Sequence, residues 1–217
     1  DYDVALMNPP YGSGNRMPDI VQDYVEENYR YKADFYISFF EACNRFTAEN
    51  GRVGMLIPRQ FMYKGRFTKF REDFVGSEGS FDFLAEFGIG VLDNATVSTV
   101  GSVVDTGAEQ NPVGSFYRLH DIPTERKEIK FTNLLCGVDD DVRRVFEVPL
   151  QEFQRIPRTP ICYSAPQSVR DLYQRDLKLD ADQAGTEDNS ACWAVPGVVT
   201  SNDDRFVRRH WEITSFD

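Results

Sequence analysis

Apolar positions fall into two rhythms along the first sixty residues. Val4-Ala5-Leu6-Met7 is an unbroken apolar run that reads as a short buried strand. Asn8-Pro9-Pro10-Tyr11 follows at once. Proline has no N–H to give to a sheet ladder, so the strand must stop there, in a stiff loop at its carboxyl end. Open α/β sheets place their ligands at that edge. Phe35, Phe39, Ala42, Cys43 and Phe46 then recur at helical spacing and predict a helix over residues 34–49. Asp34 suits its N-cap, and Asn50-Gly51 its stop. Residues 51–58, from Gly51 to Pro58, read as a second buried strand. Strand, helix and strand at this spacing make a βαβ unit with a right-handed crossover.

Residues 59–75 read as a further helix. Phe61, Phe67, Phe70 and Phe74 give it an apolar side, while Arg59, Lys64, Arg66, Lys69 and Arg71 concentrate positive charge. Such a run is either a solvated face or a phosphate-contacting one. Residues 81–87 alternate as a strand, and Gly88-Ile89-Gly90 turns the chain. Residues 91–104 and 113–119 are β-rich, and these two runs are expected to pair as an antiparallel hairpin. Between the first strand and the first helix, Gly12-Ser13-Gly14-Asn15 is turn chemistry, without the Gly-Lys-Ser/Thr of a phosphate loop. Tyr24, Tyr29, Tyr31 and the acids among them mark a short polar helix that either packs at the edge or closes over a substrate. Beyond residue 120 the α/β rhythm fades. Val142, Val145 and Phe146, with Leu150 and Phe153, suggest a short helix. Val169, Leu172 and Tyr173 open another, and residues 180–189 read as an exposed linker.

The tetrad at positions 8–11 carries chemistry. At average usage it would arise by chance in roughly one chain in seven hundred of this length, so a bland Pro-Pro turn is the weaker reading. The exocyclic amine of adenine shares its lone pair with the ring and is a poor nucleophile. The side-chain oxygen of Asn8 and the carbonyl of Pro9 could accept its two hydrogens, favour a tetrahedral nitrogen and return the lone pair. Proline fixes φ, which holds the second acceptor in place beforehand. Tyr11 offers a flat face on which an extruded base can stack. A methyl group on a sulfonium would then be attacked in line.

Tetrad and strand together resemble the catalytic motif of amino-methyltransferases that use S-adenosylmethionine. Met7 before the tetrad and Gly12 after it resemble the adenine-N6 DNA methyltransferases of restriction-modification and BREX-type phage-defence systems. The resemblance implies an α/β, Rossmann-like fold, of which this chain holds the C-terminal half of the sheet plus a mixed α/β start of a recognition region. It implies a catalytic part at residues 1–119, a connecting region at 120–191 and the start of DNA recognition at 192–217. Asn8, Pro9, Pro10 and Tyr11 would be catalytic. Residues 33–41 resemble the helix that lines the cofactor's adenine, with Asp34 and Phe39 as the contacts; for Phe39 the alternative is plain core. An aromatic residue near position 92 usually covers the other face of the target base; Leu92 keeps only an apolar wall there. Residues 197–212 resemble the segment joining catalytic and recognition domains, in which Arg205, Arg208, Arg209 and Trp211 would grip phosphates or stack.

The implied cofactor is S-adenosylmethionine. The implied partners are double-stranded DNA with a flipped adenine and other defence-system subunits. Methyltransferases acting on protein glutamine or RNA guanine share the tetrad, and a non-catalytic DNA-binding remnant would keep it. The long region beyond 120 and the spacing of Phe206, Arg208 and Trp211 argue for DNA. The glycine loop and ribose-holding acid of such enzymes would precede Asp1. The chain opens without Met inside a strand pattern, so a missing N-terminal part is expected. The 217 residues alone are expected neither to bind cofactor well nor to methylate.

Charge changes this picture in one respect. A net charge of -11 excludes DNA binding through a broad basic face. Either the DNA contacts lie elsewhere, or the cell is very salty. The chain has 18 Arg against 6 Lys and 21 Asp against 14 Glu, a bias that suits multimolar salt. There the screening length falls to about 3 Å or less and self-repulsion vanishes. A halophilic, haloarchaeal source is therefore expected. Cys43, Cys136, Cys162 and Cys192 form no CxxC pair, and His120 and His210 are isolated, so no metal site is expected and a reducing cytoplasm fits. No apolar run approaches the ~18 residues of a membrane span.

Overall fold

The computed structural model describes residues 1–11, 18–75, 78–92, 97–107, 112–174, 178–180 and 190–192. Residues 1–174 make one compact unit. In chain order it contains β1 (Tyr2–Met7), α1 (Asp19–Asn28), α2 (Phe35–Phe46), β2 (Thr47–Pro58), α3 (Thr68–Phe74) and β3 (Ser80–Gly88). These are followed by β4 (Thr99–Asp105), β5 (Val113–Arg118), α4 (Thr124–Leu135), β6 (Val145–Pro149) and α5 (Gln167–Leu172). The strands build one six-stranded mixed sheet in the order β1-β2-β4-β3-β5-β6.

β1 and β2 run parallel, with Met7 opposite Met55, and α2 connects them. This is the expected βαβ unit. The expected hairpin of the two later β runs is corrected. β4 pairs antiparallel with both β2 and β3, and β5 pairs in parallel with β3. β3 thus separates β4 from β5. Val100, Val104 and Asp105 are buried within β4, as an interior strand requires. Local alternation cannot say which neighbour a strand chooses, and sequence adjacency is only a tendency.

One face of the sheet carries the main core. Val53, Met55 and Ile57 of β2 and Val100 and Val104 of β4 pack with Tyr36, Ile37 and Phe40 of α2 and Phe70 and Phe74 of α3. Each such side chain contributes about 1.5–3 kcal/mol on burial. The other face holds a smaller cluster. There Phe131 and Leu134 of α4 cover Phe83, Ala85 and Phe87 of β3 and Tyr117 of β5. α4 lies in a stretch whose sequence shows little periodicity, and β6 replaces the helix expected around residues 142–153. Only Leu150–Arg155 of that stretch is helical, as a 3-10 turn that buries Leu150 and Phe153. The sheet therefore continues beyond residue 119.

β1 forms as read, but it is not buried on both faces. Ala5 and Met7 join the main core, whereas Tyr2, Val4 and Leu6 are exposed, Leu6 by 80%. Residues 59–75 are also not one helix. Two 3-10 turns, Arg59–Met62 and Gly65–Phe67, precede α3. Arg71 is fully buried there, and the chain gathers around its guanidinium. It donates to the carbonyls of Phe61 (2.6 Å), Lys64 (2.9 Å), Arg158 (2.6 Å) and Thr159 (2.8 Å). Lys69 is tied to Asp73, Arg66 to Asp34 and Arg59 to Glu86. Arg71 is thus internal bracing, while Lys69, Arg66 and Arg59 are ion-paired and their own side chains stay partly exposed.

The connecting stretch before α2 packs at the edge. The buried Glu41 carboxylate accepts from the backbone N–H of Arg30 (2.7 Å) and Tyr31 (3.2 Å). Tyr31 is buried, and its hydroxyl donates to Asp73 at 2.6 Å. Residues 175–217 form a second unit, of which β7 (Lys178–Asp180) and β8 (Ser190–Cys192) pair in parallel. The linker read at 180–189 and the segment at 197–212 lie outside the described residues, apart from Asp180.

Candidate active site

The tetrad stands where β1 ends. Met7 is the last residue of the parallel ladder, and the two prolines stop it there. Asn8 and Pro10 are exposed, Pro9 is buried and Tyr11 is half-buried. The Tyr11 hydroxyl lies 3.2 Å from the side-chain oxygen of Asn8 and 3.3 Å from the carbonyl of Leu56 on β2. Burial pushes the Tyr11 phenol upward, so it stays a donor at neutral pH. The Tyr11 ring meets Tyr36 of α2 edge-on at 6.3 Å. Tyr36 is itself buried, and its hydroxyl has no hydrogen-bond partner among the described residues. Asn8 also lines a largely apolar trough together with Leu6, Gly54, Phe83, Phe87 and Gly101.

Asp34 and Phe39 lie on the same helix in different settings. Asp34 occupies the N-cap position of α2 but makes no side-chain cap bond. Its buried carboxylate faces Arg66 at 3.4 Å. Phe39 is 44% exposed, while Phe40 beside it is buried. Among the described residues its ring is thus left partly uncovered. Leu92 is half-buried in the loop after β3, a strand three places from β1 in the sheet. Gly88 begins this loop at φ 76°, and a Cβ there would lie 2.8 Å from the Cα of His120, so only glycine fits. Arg205, Arg208, Arg209 and Trp211 lie outside the described residues.

A second polar cluster was not singled out in the sequence. Glu86 of β3 is buried, with Arg59 Nη1 2.7 Å and His120 Nδ1 3.6 Å from its Oε1. The Arg59 contact is an ion pair whose angles miss hydrogen-bond geometry. Glu86 Oε2 accepts the Tyr163 hydroxyl at 2.5 Å. Burial, with Glu86 second, pushes the Tyr163 phenol far up. Arg59 lies over the Tyr63 ring at 5.7 Å and lines a cavity of about 450 Å³ with Gln60, Tyr63, Val97 and Ser98. The available signal was Glu86 as the single charge inside the apolar run Phe83–Gly88. A carboxylate there must find partners or stay neutral.

The family model described as Eco57I restriction-modification methylase matches residues 1–87. The adenine-specific methyltransferase PglX of Lacticaseibacillus casei (strain Zhang) is 26% identical over 99% of this chain and 17% of its own length. The adenine-specific methyltransferase BrxX of Escherichia coli O9:H4 (strain HS) is 27% identical over 100% of this chain and 17% of its own length. The chain thus spans about a sixth of these curated relatives. The type I restriction-modification methyltransferase subunit of Streptococcus thermophilus superimposes with a TM-score of 0.53 at 14% identity, covering 74% of this chain and 37% of that one. That likeness is one of fold alone. Residues 1–87 thus match the Eco57I restriction-modification methylase family model, and the chain shares its fold with a restriction-modification methyltransferase subunit.

Proposed function

We propose that this chain is part of an adenine-N6 DNA methyltransferase of the restriction-modification or phage-defence type. The observation that carries this reading is the exposed Asn8 carboxamide at the tip of β1, with Tyr11 held against it. Asn8 Oδ1 and the Pro9 carbonyl accept the two hydrogens of the substrate amine, and Tyr11 stacks on the base. The buried Pro9 cannot shift, so one acceptor is fixed before substrate arrives. The names of the relatives, both adenine-specific methyltransferases, support the same substrate.

The cofactor of this reading is S-adenosylmethionine, which supplies an electrophilic methyl when bound. Of the two residues assigned to it, Phe39 fits better: its ring is exposed, whereas the Asp34 carboxylate is buried against Arg66. Leu92 walls the target base. Catalytic chemistry belongs to residues 1–119, residues 120–191 connect, and residues 192–217 begin DNA recognition, with Arg205, Arg208 and Trp211 on the DNA. The piece alone is inactive, and the longer polypeptide is the enzyme.

The test is transfer of a labelled methyl group to duplex DNA by the longer polypeptide, with the modified base mapped. Label in N6-methyladenine is expected, and none from the 217-residue piece. Label in protein or RNA, or in neither, refutes the reading.

A further inference from the structure

The tips of β2, β3 and β5 assemble polar groups that the chemistry at Asn8 does not use. Arg59 follows Pro58, the last residue of β2. Its carboxylate partner Glu86 is shared with the Tyr163 hydroxyl and approached by His120. Glu86 therefore orients Arg59 without saturating it. The Arg59 Nε–H is buried and has no acceptor among the described residues. The side chain keeps 37% exposure, and that open part faces the 450 Å³ cavity.

Beside Val97, the described lining of this cavity consists of residues whose side chains can donate: Arg59, Gln60, Tyr63 and Ser98. A planar guanidinium fixed by a carboxylate suits an anion with several acceptor oxygens. The cavity stands at the same sheet edge as the tetrad: β1 and β2 run parallel with Met7 opposite Met55, Asn8 follows Met7, and Arg59 follows the end of β2. Tyr11 also reaches the Leu56 carbonyl, three residues before Arg59. With a net charge of -11, this chain has no diffuse attraction for a polyanion. A fixed contact near the reacting base would position the strand independently of net charge.

We propose that the Arg59 cavity binds a backbone phosphate of the target strand next to the extruded adenine, with Glu86 as the positioning residue that aims Arg59. This rests on the DNA-methyltransferase reading above. It adds a phosphate contact on the catalytic part itself, separate from those expected near Arg205.

The test uses the longer polypeptide and duplexes that contain the target adenine. Affinity is measured across a salt series for wild type, Arg59→Ala, Arg59→Gln and Glu86→Gln. The three phosphates on each side of the adenine are replaced singly by methylphosphonate. Arg59→Ala should weaken binding on the order of tenfold and flatten the log–log salt slope by about 0.9, the share of one phosphate. One methylphosphonate position should cost wild type that same factor and cost Arg59→Ala nothing more. Glu86→Gln should raise KM and leave kcat within about twofold, because it loosens the aim of Arg59 and touches no reacting atom. If Arg59→Ala does not fold, Arg59→Gln read against the same six duplexes decides. An unchanged salt slope, or no methylphosphonate position silenced by the Arg59 variants, overturns the proposal. A wild type that methylates adenine while Arg59→Ala keeps its slope sinks only the phosphate site. A wild type that neither binds nor labels the duplex sinks the DNA reading itself.

Discussion

The Tyr11 hydroxyl rests 3.2 Å from the side-chain oxygen of Asn8, and the Leu56 carbonyl competes for its one hydrogen at 3.3 Å. The oxygen proposed to receive the substrate amine is therefore already held in place by a neighbouring donor. Such preorganisation spares the site a reorganisation cost at the moment of reaction. In the longer enzyme, Asn8→Ala should lower kcat on the order of a hundredfold to a thousandfold, the usual effect of losing one preorganised partner. Steady-state methyl transfer checks this, and undiminished kcat would remove the assigned role.

Tyr11 has two separable parts. Tyr11→Phe keeps the ring and loses a hydrogen bond worth about 1 kcal/mol, so turnover should drop no more than about tenfold. Tyr11→Ala also loses base stacking, about 1–3 kcal/mol. A fluorescent adenine analogue at the target position reports extrusion directly. Equal signals from the Phe and Ala variants would mean that the ring does not stack.

Arg71 is a structural rivet. Four carbonyls from two distant stretches of chain converge on its buried guanidinium. Arg71→Met should destabilise the fold by about 3–5 kcal/mol, the range found when one partner of a buried charged network is removed. Arg71→Lys should rescue little, because a compact ammonium cannot span that fork. Urea unfolding measures both. A midpoint close to wild type for Arg71→Met would show that water can replace the guanidinium.

Asp121 gives an acid-side signature. Arg144 donates to its two oxygens at 2.7 and 3.2 Å and draws its carboxyl down to about 2, from an ordinary 3.8. Because the folded value is the lower one, the unfolded chain takes up the proton first. This contribution is complete above pH ~4 and fades as pH falls toward ~2. Asp121 is half exposed, so water screening limits it to at most about 1 kcal/mol. Asp121→Asn should flatten the stability curve within that window. Parallel curves for variant and wild type, measured by urea midpoints from pH 2 to 5, would contradict the assignment.

The excess of acids, and of Arg over Lys, is a proposal about the source as well as the surface. Stability and activity of the longer protein should rise with salt into the molar range, as repulsion among the 35 acids is screened. Optima at low salt would remove the halophilic reading.

Local chemistry was legible where one short stretch decides the outcome. Pro9 and Pro10 end β1, the Phe35–Phe46 stripe makes α2, and Pro58 closes β2. Choices between distant partners were not legible. Nothing in Thr99–Asp105 announces that it lies between β2 and β3. Arg71 looked like surface charge because its acceptors at Arg158 and Thr159 lie 87 and 88 residues away. Phe39 sits in the same apolar stripe as its neighbours, and only the packing of α2 reveals that it faces outward. Arg59 was seen as one cation among five, and only the folded sheet brings Glu86 to it.

The bare rim of β1 has a practical side. Its outer edge has no strand beside it among the described residues, and Tyr2, Val4 and Leu6 stand uncovered next to that edge. Two copies could zip together there, backbone to backbone, and a third could add to the second. Handled on its own, this piece should clump as its concentration rises. A preparation that stays monodisperse will be one that has brought along whatever shields those three side chains.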